Sequence, residues 1–278
     1  MTSSARRVRR LIVAATALFA VLGVSACGGD DDGGSAKGID LVGEGKLTVC
    51  THLPYKPFEF RDDSGDVVGF DVDMLDLLAK DLDVDIEVVD TAWAQIMSGA
   101  VFASQKCDVG MGAMSITPER DKALLISDPY FDATQALLVP SDKAYGDLSD
   151  LEGKKLGVQT DTTGQEYAEA HADEFGYEMI VFDDSLSELN AVKTGKVDAA
   201  INDNGPLYDF SKQNSDTEIT AEFDTGEQYG FPAKPDDENA KKLIDRLNEL
   251  LAKAKKDGTY DKIYKKWFGT APGANSDG

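Results

Sequence analysis

The spacing of apolar residues after residue 44 predicts strands alternating with helices. Apolar runs at 47–50 and 109–111 and an alternating run at 86–88 are typical of strands with buried faces. Between the first two strands, apolar residues recur at the spacing of one helical face: Met74, Leu75, Leu77, Leu78 and Leu82. Strands separated by helices pair in parallel, so this half of the chain predicts an α/β domain.

Two further helices are expected in this half. The segment 93–102 predicts one helix. Thr117 followed by Pro118 predicts the start of another, with Thr as the N-cap and Pro at the first helical position.

A second series of strands and helices begins near residue 137. It contains predicted strands at 155–158, 179–182 and 199–201, and predicted helices at 165–175 and 185–194. The second of these helices is expected to turn Leu186, Leu189 and Val192 inward. An extended apolar segment, 135–139, crosses between the two series, and the chain returns through 229–231 to a long amphipathic helix at 236–255.

The N-terminus has the pattern of an export signal. Basic residues at 6–10 precede an uncharged apolar run at 11–24, which is short for a membrane span. Small residues then lead to Cys27 and a Gly/Asp/Ser-rich stretch, which resembles a bacterial lipobox. This resemblance implies a signal peptide at 1–26, a lipid on Cys27 and a flexible tether at 27–43. An ordinary signal peptide and an uncleaved anchor remain alternatives.

Composition narrows the function classes. The chain has 278 residues, of which 42% are hydrophobic, so it can bury a core. It has 28 basic and 51 acidic residues, a net charge of −23. Loss of the four arginines in 1–26 would leave 24 basic residues and a net charge of −27. Such acidity argues against nucleic-acid binding. With only two histidines, no metal site is expected.

Two cysteines remain after Cys27. Cys50 ends one predicted strand and Cys107 precedes another. An even number in an exported chain favours a disulfide, and two buried free thiols are the alternative.

Polar residues near strand ends indicate binding rather than catalysis. The chain has no G-x-S-x-G, Walker, H-E-x-x-H or C-x-x-C motif, and no cofactor is expected. Arg120, in the first turn of the helix after strand 109–111, has a guanidinium suited to a carboxylate, unless it is merely exposed. Asp203 is expected in a polar turn at 202–205, and Tyr55 and Trp93 could be core aromatics.

Four segments together resemble one protein family, the extracytoplasmic solute-binding proteins of amino-acid ABC transporters, family 3. They are Leu47–Phe60 with its Pro-Phe-Glu-Phe, Val68–Asp73 with Gly-Phe-Asp-Val-Asp, Met114–Arg120 together with Ser127–Tyr130, and Gln228–Gly230 together with Asp257–Gly269. The similarity covers about residues 44–270.

The resemblance implies a fold and a site. The fold would be α/β, of the two-lobe type II periplasmic-binding-protein kind, each lobe a mostly parallel sheet flanked by helices. Lobe 1 would hold 44–134 and 228–270, lobe 2 would hold 135–227, and a disordered tail would follow at 271–278. The site residues implied by motif position are Arg120 for the ligand α-carboxylate, Ser115 and the amide of Thr163 beside it, Asp203 for the α-ammonium, Tyr55 and Trp93 against the ligand body, and Ala113 and His52 nearby.

The same resemblance implies the protein's partners. We expect an exported monomer that binds an amino acid and delivers it to an ABC permease. It would be attached to the membrane only through its lipid anchor. Two alternatives are a sensory binding protein and an enzyme on this fold, such as a cyclohexadienyl dehydratase using Asp161 or Glu227.

The chain departs from the family pattern at two positions. Asp161 stands where the family usually has Gly, and an acid there could repel the ligand carboxylate unless it points to solvent. His52 stands where relatives with basic or amide ligands often have Asp. It could contact a ligand side chain or be structural.

Overall fold

The computed structural model describes residues 35–273, and its two five-stranded sheets form the frame of the molecule. The strands are β1 Ser35–Ala36, β2 Ile39–Asp40, β3 Lys46–Thr51, β4 Phe60–Arg61, β5 Val67–Val68, β6 Asp85–Asp90, β7 Val109–Gly110, β8 Leu125–Ile126, β9 Phe131–Pro140, β10 Lys155–Gln159, β11 Glu178–Phe182, β12 Ala199–Asp203, β13 Thr217–Tyr229 and β14 Pro232–Ala233. The α-helices are α1 Phe70–Leu82, α2 Trp93–Met97, α3 Ala100–Ala103, α4 Pro118–Ala123, α5 Thr163–Phe175, α6 Ser185–Lys193, α7 Asn204–Gln213, α8 Glu238–Asp257 and α9 Thr259–Phe268.

Both sheets are mixed. The first has the order β6-β3-β7-β14-β8 and the second the order β11-β10-β12-β9-β13. In each, three parallel strands joined through helices are extended by two further strands, each of which pairs antiparallel with its neighbours. The two-lobe α/β fold agrees with the prediction. The antiparallel share is larger than expected, because the crossing strands β9 and β13 in one sheet, and β8 and β14 next to the crossings in the other, pair antiparallel with their neighbours.

Two long strands carry the chain between the lobes. β9 and β13 pair antiparallel from Phe131–Tyr229 at one end to Pro140–Thr217 at the other, with two register shifts. Their first-lobe end packs into an aromatic cluster, in which Phe131 lies 5.3 Å from Tyr229 and 5.1 Å from Phe58 between ring centroids. The crossings are therefore anchored in the first lobe's core.

Local rules account for the helix that carries Arg120. Thr117 is extended and its hydroxyl accepts a hydrogen bond from the Arg120 amide at 3.2 Å, while Pro118 begins the helix. This is the predicted cap. Thr162 caps α5 in the same way, accepting from the Gln165 amide at 3.1 Å.

Three local expectations differ from the structure. The single helix predicted at 93–102 is two short helices, because Gly99 adopts a left-handed φ of 71° between them. Leu186, predicted to face inward, is 43% exposed. The polar turn expected at 202–205 does not form. Instead Asp203 ends β12 and α7 begins at Asn204.

The predicted tether, 27–43, is ordered in its second half. β1 and β2 form a small hairpin, Ile39 is buried, and the Asp40 amide donates to Asn239 of α8 at 2.8 Å. Cys27, the signal peptide at 1–26 and most of the predicted tail lie outside the described residues. Within residues 35–273, no helix is long and apolar enough to cross a membrane.

Cys50 and Cys107 form a disulfide, with their Cα atoms 5.7 Å apart. Cys50 lies in β3, and Cys107 lies two residues before β7, the neighbour of β3 in the sheet. The favoured reading of these cysteines is therefore correct.

Candidate functional site

A cleft of about 460 Å³, including its open mouth, lies between the two lobes. Strand ends, helix starts and connecting loops of both lobes line it, as expected where ligands bind α/β sheets. The lining residues are His52, Pro54, Tyr55, Glu59, Trp93, Gly112, Ala113, Ser115, Arg120, Gln159, Thr162, Thr163, Ser185, Asn202 and Asp203. The eight residues predicted for the ligand are all among them. Their roles toward a ligand stay predictions.

Arg120 is the cation of this cleft, and it is only 7% exposed. Its Nη1 donates to the Ser115 carbonyl at 2.8 Å and its Nη2 to the Asp161 carbonyl at 3.1 Å. Neither partner is charged, and among the described residues no carboxylate forms an ion pair with it. Burial lowers the pKa of the guanidinium, and surrounding acids oppose this shift. A buried cation held by neutral groups can still pair with an incoming anion.

Asp203 is the acidic counterpart of Arg120 in the cleft, and it is 6% exposed. Its Oδ1 accepts from Gln135 Nε2 at 2.6 Å, and its Oδ2 accepts from the Tyr229 hydroxyl at 2.5 Å. Burial, followed by the negative charge of Glu227, raises the pKa of Asp203 to about 7. A cation placed beside it would favour the ionised form.

Tyr55 links the two lobes across the cleft. Its hydroxyl lies 2.8 Å from Asn202 Oδ1 and 3.1 Å from Asp203 Oδ2. The Asn202 amide is oriented by Glu188, whose Oε2 accepts from Asn202 Nδ2 at 2.7 Å. Burial raises the pKa of the Tyr55 hydroxyl well above its usual range, so it stays a donor.

Glu227 joins four groups behind the lining. Its Oε2 accepts from the hydroxyls of Ser115 at 2.6 Å and Thr163 at 2.7 Å. Its Oε1 accepts from Thr225 at 2.7 Å and from Gln135 Nε2 at 3.0 Å. The carboxylate thus connects the first lobe, the second lobe and both crossing strands.

The loop after β7 brings the backbone close to Trp93. A Cβ added at Gly112, where φ is 151°, would lie 2.8 Å from the Trp93 ring, so glycine is required there. Asp71 holds this loop from below, accepting from the amides of Gly112 at 3.2 Å and Ala113 at 3.0 Å. Next to it, Glu59 is fully buried, and burial with the nearby Asp71 charge raises the pKa of Glu59 well above its usual range.

His52 presents a lone pair at the cleft. Its Nδ1 lies 2.9 Å from the Thr91 carbonyl, which can only accept, so a neutral ring carries its hydrogen on Nδ1. Its Nε2 is buried and has no hydrogen-bond partner within the described part of the chain. In that tautomer Nε2 has a lone pair that can accept from a ligand.

The Asp161 side chain is exposed, which is the condition under which an acid was expected to be tolerated at this position. Its backbone has a left-handed φ of 58°, a conformation that glycine adopts without cost. Its carbonyl accepts from both Arg120 Nη2 and Trp93 Nε1, each at 3.1 Å. The backbone, rather than the carboxylate, thus belongs to the site.

Several residues of the site were missed from the sequence. Gln135 lies in the predicted apolar crossing 135–139, where a lone amide among apolar residues is a usable signal. Gln165 does not line the cleft, and its side chain accepts from the Asp161 amide at 2.9 Å. Asn202 and Tyr229 have no local sequence signal, because only the folding of β12 and β13 brings them to Asp203.

Comparison with known families decides the classification. The family model described as "Bacterial extracellular solute-binding proteins, family 3" matches residues 47–270 of this chain. The chain belongs to this family.

Similar proteins of known name support the same assignment. This family 3 protein is 32% identical over 227 residues, 80% of its chain and 90% of the relative, to "Putative ABC transporter arginine-binding protein 2" of Escherichia coli (strain K12). Among solved structures, an ancestral arginine-binding protein bound to arginine has a TM-score of 0.75 and 38% identity, covering 81% of this chain and 99% of that one. An ancestral amino acid-binding protein, described as a precursor of cyclohexadienyl dehydratase, has a TM-score of 0.71 and 35% identity, covering 81% and 95%.

Proposed function

We propose that this protein captures a free amino acid in its cleft and delivers it to an ABC importer. The observation that carries the proposal is the pair Arg120 and Asp203, buried in one cleft from opposite lobes and held by neutral partners. An α-amino acid has one carboxylate and one ammonium at short separation, and it would supply the missing partner of each. A ligand that joins both lobes would also favour their closure.

The residues around this pair support a polar or basic ligand. His52 offers a ring-nitrogen acceptor, and Tyr55 and Trp93 provide aromatic surface for an aliphatic or planar side chain. Two of the similar proteins are named for arginine. Arginine is therefore the first ligand to test, followed by the other polar amino acids.

We further propose that Cys27 carries a lipid that holds the mature protein outside the membrane. The support is the sequence pattern of 6–27 and the family's extracellular description. Replacing Cys27 with Ser should release the protein from cells into the medium and abolish labelling with a radioactive fatty acid. Labelling retained by the variant would contradict the anchor.

A thermal-shift screen against the twenty standard amino acids tests the proposed binding. A ligand at 100 times its Kd stabilises the folded state by about 2.7 kcal/mol. For a protein of this size we expect a rise in Tm of about 5–10 °C. A flat result for all twenty would contradict the proposal.

An activity assay separates binding from catalysis. The same protein incubated with prephenate or arogenate should leave both substrates unchanged. Turnover of either, lost in an Arg120→Ala variant, would favour the enzyme alternative.

A further inference from the structure

Glu227 has no role in the proposed binding function, although it makes four hydrogen bonds behind the lining of the cleft. It does not line the cleft. Two of its partners, Ser115 and Thr163, do line it. Any influence of Glu227 on a ligand in the cleft is therefore exerted through these two hydroxyls.

We propose that Glu227 is a positioning residue that fixes the hydroxyl hydrogens of Ser115 and Thr163 and turns both oxygens into acceptors for a ligand ammonium. The inference rests on the proposed function, because it concerns how the same cleft recognises an amino acid. It reassigns the Ser115 hydroxyl from the ligand carboxylate to the ammonium.

The hydrogen count gives the first argument. A serine or threonine hydroxyl has one hydrogen, and an ionised carboxylate only accepts. Glu227 Oε2 lies 2.6 Å from Ser115 Oγ and 2.7 Å from Thr163 Oγ1, so both hydrogens point to Glu227. Each hydroxyl is then left with lone pairs toward the cleft and has no hydrogen to give a ligand carboxylate.

Gln135 supplies the second argument, because it ties these hydroxyls to Asp203. The two hydrogens on its Nε2 go to Asp203 Oδ1 at 2.6 Å and to Glu227 Oε1 at 3.0 Å. Thr163 Oγ1 lies 3.3 Å from the same nitrogen. Asp203 and Thr163 thus lie beside one amide group, and Ser115 Oγ lies 3.4 Å from Thr163 Oγ1. The number of these three acceptors equals the three hydrogens of an ammonium.

The carboxylate end is correspondingly left to groups that donate. Arg120 contributes its guanidinium, and the predicted role of the Thr163 amide is unaffected, since Glu227 contacts only the Thr163 hydroxyl. The arrangement sorts donors to one end of the ligand and acceptors to the other. Glu227 is the residue that enforces this sorting.

The substitution Glu227→Gln should disrupt the orientation of the two hydroxyls with little change in side-chain shape. Whichever way the new amide turns, its NH₂ group faces two donors, either the two hydroxyls or Thr225 and Gln135. Glu222→Gln is the matched control, because Glu222 lies on the same strand β13 and accepts from Thr134, Asn204 and Tyr208 outside the cleft.

The experiment titrates each of the twenty standard amino acids into wild type and carries forward the tightest binder. Its des-amino acid, which keeps the carboxylate and lacks the ammonium, is titrated in parallel. We expect Glu227→Gln to reduce the ratio of the two affinities at least tenfold and Glu222→Gln to leave that ratio unchanged. An unchanged ratio in Glu227→Gln, including equal weakening of both ligands, would overturn the inference.

A second variant covers a failure of Glu227→Gln to fold. Ser115→Ala should weaken the amino acid and leave the des-amino acid unaffected, whereas a hydroxyl that donates to the carboxylate would matter equally for both. Equal weakening, or none, would overturn the inference. A wild type that binds none of the twenty amino acids would instead overturn the proposed function, and the inference would fall with it.

Discussion

The two charged ends of the cleft are built in different ways. Arg120 donates to two backbone carbonyls, of Ser115 and Asp161, and its position depends on the capped start of α4. Asp203 is held by side chains alone, among them Gln135 and Tyr229 from the two crossing strands.

This difference indicates how each end responds to closure of the lobes. The Arg120 end depends mainly on local structure of the first lobe, with one contact to the second through Asp161. The Asp203 carboxylate, on the second lobe, accepts from Tyr55 of the first lobe and from Gln135 and Tyr229 of the crossings, so this end is complete only when the lobes are closed. We infer that Arg120 is preformed for a carboxylate and that ammonium recognition is coupled to closure.

The largest loss of amino-acid affinity is expected from a substitution at Arg120. Arg120→Ala should weaken amino-acid binding by about 2–5 kcal/mol, the usual cost of removing one partner from a buried charge pair. The fold should survive, since Arg120 makes no ion pair among the described residues. Titration calorimetry measures the loss, and Arg61→Ala on the exposed hairpin, where Arg61 donates to the Gly65 carbonyl, is the control. Unchanged affinity would refute the site.

A smaller loss is expected at the other end. Asp203→Asn keeps one acceptor oxygen but removes the charge, so binding should weaken by about 1.5–3 kcal/mol, as expected for a charged hydrogen-bond partner. Asp183→Asn, on an exposed loop of the same lobe, should have no effect. If the Asp203 variant bound as tightly as wild type, its ammonium role would be wrong.

Lowering the pH should weaken amino-acid binding, because it protonates Asp203. Its pKa is raised to about 7, so below that pH the free protein holds a proton there that the ligand ammonium has to displace. The affinity should then fall by up to about tenfold for each unit below pH 7 and level off above it. Calorimetry from pH 5 to 9 measures this slope. The slope attributed to Asp203 should disappear in Asp203→Asn, and its persistence there would assign the effect to another group.

The smallest expected effect concerns the exposed Asp161. Asp161→Gly relieves a left-handed backbone and removes a negative charge near Arg120, while the carbonyl that holds Arg120 remains. Stability and affinity should each stay within about 1 kcal/mol of wild type, as for other surface positions. A tenfold change in affinity would show that the carboxylate itself acts on the ligand.

The sequence predicted what depends on local patterns. Periodicity identified most strands and helices, and the Thr117–Pro118 cap placed Arg120 correctly at a helix start. The resemblance of four segments to the family 3 motifs identified the lining positions on both lobes. These features are readable because each is determined by a few neighbouring residues.

The network behind the lining could not be read in this way. Gln135 and Glu227 meet because β9 and β13 pair across a register shift, and no local pattern records that register. The expectation for Asp203 is a polar turn, since Asn-Asp-Asn-Gly is typical of turns. Instead the sequence ends a buried strand, where tertiary partners satisfy its polar side chains.

One measurement tests the central claim, recognition of both charged groups of an amino acid, most directly. Calorimetry compares the amino acid that raises Tm most with its decarboxylated amine and its des-amino acid. We predict saturable binding of the amino acid and a loss of at least about 100-fold for each analogue, since each leaves one buried charge without its partner. Binding of either analogue as tightly as the amino acid would contradict the account.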